Sequence, residues 1–345
     1  MTALRLFGER VSVRVHTRLV VVLGIAVLVL VVGSLLSLYT GNSTIDAATT
    51  TGILVGDYSA ATPFQVFTVL DVRLPRLLCA LVAGFGLGVS GALFQELTEN
   101  PLGSPDVIGF TGGAATGAVL VTVAGGAALV GTAAGALTGG LVTAALIYLL
   151  AWRSGLDGYR LILVGIGITA VLGAVRAYAL SRADLEQATA GLRWLTGSLT
   201  GRGWGDVAIA AIGLVVLVPA TAVIHRSVSR LSVGSDLATS QGLDVRRARI
   251  AIALIGTAWV AVAVVVAGPI SFVALAAPHI ARSLSRLSGA PLFSGGIVGA
   301  VLLLVADLVA LRLFAPTPLP TGVVTAVVGG AYLLWLLQRL RRGAS

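Results

Sequence analysis

The residues of this chain that could do chemistry are few and far apart. His16, His225 and His279 stand with no ligand spacing between them, so the sequence builds no histidine metal centre. Cys79 is the one cysteine, which rules out an intrachain disulfide or thiolate cluster, and its place inside an apolar run marks it as a packing residue. All 23 basic residues are arginine. Without lysine there is no phosphate-binding loop of the usual form, and energy from ATP would have to enter through a separate subunit. Asp307, in VADLVALR, is the one acid of its apolar run and is costly there unless paired or near water. Arg312 could partner it or reach outward along its own stem. His279 has no acid nearby in sequence and reads more readily as a packed or hydrogen-bonded residue than as a proton relay.

The elements that carry these residues are membrane elements. Of 345 residues, 57% are hydrophobic and 11% charged, against about 25% charged in soluble domains, so the chain reads as a polytopic all-α membrane protein. Its densest stretch is Val72 to Gly109, where the uncharged run Leu77 to Phe94 is long enough, at about 1.5 Å per residue, to cross a hydrocarbon core. Gly84, Gly88 and Gly91 give that run a face of small residues on which another helix can pack closely. About ten spans are expected in all. They run from Leu19 to Leu38, Leu77 to Phe94, Val107 to Val123, Ala127 to Trp152, Leu161 to Leu180, Val207 to Ile224, Ile250 to Val266, Ile270 to Leu284, Leu292 to Leu311 and Gly322 to Leu337. The run from Ile270 is the weakest, because Pro278, His279 and Arg282 interrupt it.

Charge sets the orientation. Arg5, Arg10, Arg14 and Arg18 precede the first span and should hold the N-terminal tail in the cytoplasm. A signal peptide is the rival reading, but the apolar run is longer than a typical signal core and no small-x-small cleavage site follows. Thr40 to Leu70 carries Asp46 and Asp57 and no basic residue, as suits an external loop. Ten spans then bring Arg153, Arg160, the cluster from Arg226 to Arg249, Arg282, Arg286, Arg339, Arg341 and Arg342 to the cytoplasmic side. Nine spans would put the C-terminal cluster outside. The basic charge is thus a matter of topology and anionic lipid, with no support for a nucleic-acid partner. The expected organisation is a basic cytoplasmic tail, 1–18, and a single transmembrane domain, 19–345, with both termini cytoplasmic and a cytoplasmic segment at 226–249.

Three segments depart from simple spans. Arg226 to Arg249, RSVSRLSVGSDLATSQGLDVRRAR, reads as one or two short amphipathic helices across the membrane face; it is either a solvated connection or a docking surface, and loops of such length with helical signal are often functional. Gly268 to Leu284, GPISFVALAAPHIARSL, opens on a helix-breaking Gly-Pro and carries Pro278 inside, and broken membrane helices line cavities or pathways. Pro316 to Leu337 sets prolines before a helix opening at Thr321-Gly322, which either leaves amides free toward a pathway or is a rigid turn.

Seven motifs occur in order: RLPR at Arg73 to Arg76, SGALFQ at Ser90 to Gln95, NPLGSPDVIG at Asn100 to Gly109, RLILVGIGITA at Arg160 to Ala170, WLTGSL at Trp194 to Leu199, GPISFVALAAPHIAR at Gly268 to Arg282, and LPTGVVTAVVGG at Leu319 to Gly330. Together they resemble the permease family of ABC importers that carry ferric siderophores, haem and cobalamin, the FecCD type with the type II importer fold. The resemblance implies two such subunits, the second a copy or a relative, around a central pathway. It also implies two cytoplasmic ATPase subunits holding ATP and magnesium, an extracytoplasmic substrate-binding protein, and no cofactor, metal or catalytic residue on this chain. It assigns binding-protein docking to Arg73 and Arg76 and, less directly, to Arg312. ATPase coupling falls to Val233 to Val245, with Gly234, Ser235, Asp236, Gly242 and Leu243, and the inner gate to Gly158 and Tyr159. Three departures stand out: Pro318 replaces the family's acid before the last helix, Leu311 stands where an outer arginine is expected with Arg312 one position on, and Tyr159 is bulkier than the usual gate residue.

The expected function is therefore that of a membrane subunit of an ATP-driven importer in the cell membrane, moving a ferric siderophore by alternating access, with cobalamin or haem as the alternative cargo. An ion-coupled secondary transporter would show acids deep in several spans, whereas here Asp307 is nearly alone and Glu96, Glu99, Asp157 and Asp236 fall toward loops. The long coupling segment speaks against a channel-like or purely structural protein.

Overall fold

The computed structural model describes residues 2–6, 11–15, 17–41, 45–125, 129–151, 158–286, 289–313, 317 and 319–343. Arg153, Asp157, Pro318 and His16 lie outside the described residues. Each of the ten apolar runs forms a helix: α1 (Thr17–Tyr39), α4 (Leu74–Leu97), α6 (Phe110–Val123), α7 (Leu129–Ala151), α8 (Gly158–Arg182), α10 (Trp204–Leu231), α12 (Val245–Ala267), α13 (Val273–Ser285), α14 (Leu292–Arg312) and α15 (Thr321–Gly343). Among the described residues, seven helical stretches are long and apolar enough to cross a membrane unaided; α6 and the apolar part of α15, Thr321–Trp335, are shorter. Helix α13 is shorter still because Gly268, at φ 74°, and Phe272, at φ 68°, turn the chain before it can start.

Short helices complete the set: α2 (Ala47–Val55), α3 (Pro63–Phe67), α5 (Pro105–Ile108), α9 (Leu185–Leu195) and α11 (Ser235–Ser240). Two features depart from the sequence expectation. The tail, expected only as a basic segment, pairs β1 (Thr2–Leu6) with β2 (Val11–Val15) antiparallel, in keeping with the alternation in VSVRV. Helix α9 is amphipathic, and its Gly191 is buried while Leu185 and Leu192 stay exposed.

Helix α4 organises the bundle. It continues without a break from the π-helical turn Thr68–Arg73, and Pro75, which cannot donate, stands at that junction; Thr98 ends it by donating to the Phe94 carbonyl over 2.8 Å. Its small-residue face meets α14 backbone to backbone: a Cβ on Gly84 would lie 2.5 Å from the Gly299 carbonyl oxygen, and one on Gly88 would run into the Gly295 carbonyl. Gly91 packs as closely on Ala274 of α13, and Gly86 lies against the Trp259 ring of α12. Trp259 is fully buried with its Nε1 donating to Thr221 over 2.9 Å, so the largest core side chain leaves no donor orphaned. Helices α6 and α7 repeat the device, with Gly113 and Gly117 against Gly139 and Gly135. By contrast α1 and α8 expose most of their apolar side chains, among them Leu28, Leu163, Ile166 and Val171.

Candidate functional site

The two ends of α4 carry two separate constellations. At its start, the RLPR arginines are held inside the chain. Arg76 donates through Nε and Nη2 to both carboxylate oxygens of Asp307, at 2.9 and 2.8 Å, and its Nη1 reaches Thr200 at 3.4 Å. Thr321, the first residue of α15, donates to Asp307 Oδ1 over 2.7 Å. One carboxylate thus ties α4, α14 and α15 together. Asp307 is paired with Arg76, not with Arg312, which is exposed at the end of α14. Arg73 is only 6% exposed, and its Nη1 donates to the Leu38 carbonyl at the end of α1 over 2.7 Å. It sits in a π-helical turn, Thr68–Arg73, whose Asp71 accepts from Trp204 Nε1 at 3.1 Å. The pair Arg202–Asp206, at 3.2 Å, completes this end.

At the opposite end of α4 the 226–249 segment forms the end of α10, then α11, then the start of α12. Gly234, at φ 112°, and Gly242, at φ 77°, bracket α11. Gly242 and Leu243 donate their amides to Thr239 and Ala238 at 2.9 and 3.0 Å, the paired bonds that close a helix C-terminus around a left-handed glycine. Ala238 is buried and Leu243 half-buried, whereas Val233, Asp236 and Leu237 are exposed and Ser235 is half-buried. Asp244 caps α12 by accepting from the Arg247 amide at 3.0 Å, and Arg249 Nη2 bridges to Glu99 Oε1 at 2.7 Å. The turn after α4 also carries Gly158: a Cβ there would lie 2.6 Å from the Thr98 carbonyl oxygen, so the first residue of α8 rests on the backbone of that turn. Tyr159, next to it, is 77% exposed.

Between the two ends, the break before α13 faces a cavity of about 510 Å³. Ser271 and Phe272 line it together with Ser104, Asp106, Ile162 of α8 and Leu333 of α15. Asp106 accepts from Thr111 Oγ1 at 2.6 Å and from the Phe272 amide, and burial pushes its carboxyl up from the usual range. The 104–111 turn therefore braces the strained start of α13. His279 meets the Tyr332 ring edge-on at 6.2 Å, as a packed residue. Sequence reasoning missed Arg176, although a charge inside the Leu161 to Leu180 run was a signal in itself. Its Nη1 donates to the Gly112 carbonyl at 2.8 Å and to Thr116 at 3.2 Å, pinning α8 to α6. Thr200 and Thr321 were missed as well, because a hydroxyl that meets Arg76 or Asp307 only in the folded chain leaves no pattern in sequence. Among the described residues, no group of three or more His, Cys, Asp or Glu is placed to hold a metal ion.

A bundle of apolar helices locked by small-residue contacts, with broken α13 beside a cavity, marks a multi-pass membrane protein. The model of the FecCD transport family matches residues 28–339, and the chain belongs to that family. Over 324 residues it is 43% identical to the ferric enterobactin transport system permease protein FepG of Escherichia coli K12, covering 94% of this chain and 97% of that one. It is 36% identical over 296 residues to the protein named "Probable siderophore transport system permease protein YfhA" of Bacillus subtilis, covering 82% and 85%. Among solved structures, one described as "an inward-facing conformation of a putative metal-chelate type ABC transporter" superposes with a TM-score of 0.80 at 26% identity, over 92% of this chain and 99% of that one.

Proposed function

We propose that this chain is the permease subunit of an ATP-driven importer that moves a ferric siderophore across the cell membrane. The observation that carries the reading is the match of nearly the whole chain to a ferric enterobactin permease, joined to a fold whose two ends carry the arginine cluster and α11. On this reading the face with Arg73, Arg76 and Arg312 looks outward and receives the substrate-binding protein. Arg312 is its exposed member; Arg73 and Arg76 are engaged within the chain, so an incoming carboxylate meets Arg312 first. The α11 face looks into the cytoplasm, where Gly234, Ser235, Asp236, Gly242 and Leu243 present a short rigid helix to an ATPase subunit carrying ATP and magnesium. Movement of α11 passes to the inner gate at Gly158 and Tyr159, and two permease subunits alternate between inward- and outward-open forms.

Uptake of radioactive iron as several ferric siderophores, with labelled haem and cobalamin alongside, in cells with and without this chain tests the reading. Loss of one siderophore while haem and cobalamin enter normally is expected. Loss of cobalamin or haem alone would move the cargo to the family's other substrates.

A further inference from the structure

Two segments that enter the bundle from opposite ends meet at Phe272. The 268–272 break leaves the end of α12 remote from α11, and its start is anchored. A Cβ on Gly268 would lie 3.0 Å from the Gly197 Cα, and the Gly197 carbonyl accepts from the Gly322 amide of α15 at 2.9 Å. The 98–109 stretch leaves the other end, after α4, and brings the Asp106 carboxylate to the Phe272 amide. Thr111 Oγ1 orients that carboxylate from 2.6 Å. Beyond the junction α13 is held as well, because Gln95 Nε2 donates to the Leu275 carbonyl at 3.0 Å. Phe272 is the piece between these fixed points, and at φ 68° and ψ −25° it has a backbone that a bulky side chain avoids.

The position of the ring gives that strain a use. It lies on Gly329 of α15, where any Cβ would overlap it. Among the described residues, Phe272 alone lines both the 510 Å³ cavity and a second, apolar hollow of about 160 Å³ among α13, α14 and α15, whose wall includes Val273, Leu302, Val324 and Tyr332. The ring is the partition between the two. A glycine would adopt this φ freely, but it would leave the two hollows joined. Backbone strain that neighbouring contacts hold in place collects at switch regions. With α13 fixed, returning φ to its negative range turns the Phe272 N–H away from Asp106 and carries the chain before it off its seat. We infer that Phe272 is a two-position partition and that Asp106 is the positioning residue that latches it closed. In the importer reading above, on which this inference rests, the partition changes position as the permease switches between its inward- and outward-open forms.

The test replaces Phe272 by 4-fluorophenylalanine, a change of one atom, in the full complex of permease, ATPase and binding protein in lipid nanodiscs. Phe94, fully buried in the core, carries the same probe as a control. The fluorine resonance is read without nucleotide and again with a non-hydrolysable ATP analogue. The expected result is a Phe272 resonance that shifts or splits between the two states while that of Phe94 holds. A Phe272 resonance that stays put, or only follows Phe94, in a complex that still accumulates ferric siderophore in vesicles would overturn the inference and leave the importer reading intact. A complex that accumulates none with ATP would remove both. Asp106→Ala tests the latch: it should bring the nucleotide-free Phe272 resonance to the position seen with the analogue, and a resonance left where the parent has it contradicts the assignment. Phe272→Gly, which removes the ring and keeps the φ without strain, should lower the iron moved per ATP hydrolysed by at least about fivefold. A merely structural role would lower transport and hydrolysis together, so an unchanged ratio counts against the partition.

Discussion

Arg76 and Asp307, 231 positions apart in sequence, meet as a bidentate pair at 2.8 and 2.9 Å. Both side chains are largely withdrawn from solvent, at 12% and 2% exposure. Removing one partner of such a pair strands a buried charge at a cost of about 3–5 kcal/mol, whereas replacing both by apolar residues is often neutral. Asp307→Ala should therefore lower the melting temperature of the detergent-solubilised protein markedly, and Arg76→Met with Asp307→Leu should recover most of the loss. A single mutant as stable as the parent would show that the pair holds nothing together.

The α4–α14 contact predicts a sharp size limit. Gly88 faces the Gly295 carbonyl with no room for a side chain, while Gly24 in α1 has nothing within 4 Å of where a Cβ would stand. Gly88→Val should force the helices apart and cost more than the ~1–3 kcal/mol typical of overpacking, because backbone cannot move aside as a side chain does. Size-exclusion profiles of the purified variants check this: Gly88→Val aggregates or fails to accumulate, and Gly24→Val elutes as the parent does.

One side of that contact was legible in the sequence, while its partner, the Gly295 and Gly299 backbone of α14, was not. The glycines of Leu77 to Phe94, the ten apolar runs and the Gly-Pro break at Gly268 each follow from composition and from the need to satisfy backbone groups inside a membrane. Which residue answers Asp307 was not legible, since Arg312 is near in sequence and Arg76 is near only once α4 and α14 are packed. Glu96 and Glu99 read as loop acids, whereas Glu96 lies in the last turn of α4, and only the fold brings the two into one cleft with Leu231 to Gly234 and Arg282. The β1–β2 pairing left only the short alternation of VSVRV as its mark, a run of five residues that does not by itself set a strand apart.

The closure of α11 yields a graded prediction. Gly242 sits at φ 77° with open space around it, so the obstacle to substitution is backbone strain of roughly 1–2 kcal/mol and not crowding. Gly242→Asn should keep most iron uptake, Gly242→Val should lose most of it, and both should reach the membrane in equal amount on immunoblots. Equal uptake by the two variants would mean that the left-handed turn plays no part in coupling.

The gate assignment makes Tyr159, 77% exposed beside the buried approach of Gly158 to Thr98, a residue whose environment changes during transport. Tyr159→Cys should react with a membrane-impermeant maleimide from the cytoplasmic side in the nucleotide-free complex, and at least about tenfold more slowly when the complex is trapped with a non-hydrolysable ATP analogue. Labelling at the same rate in both states would place the gate elsewhere.

The most direct test of the central claim is transport by the reconstituted complex of permease, ATPase and binding protein in sealed vesicles, with the ferric siderophore outside and ATP inside. ATP-driven import predicts accumulation that needs hydrolysable ATP and persists when ionophores collapse the proton and sodium gradients. Accumulation that continues without ATP and stops when the gradients collapse would contradict it and leave an ion-coupled carrier as the account of this chain.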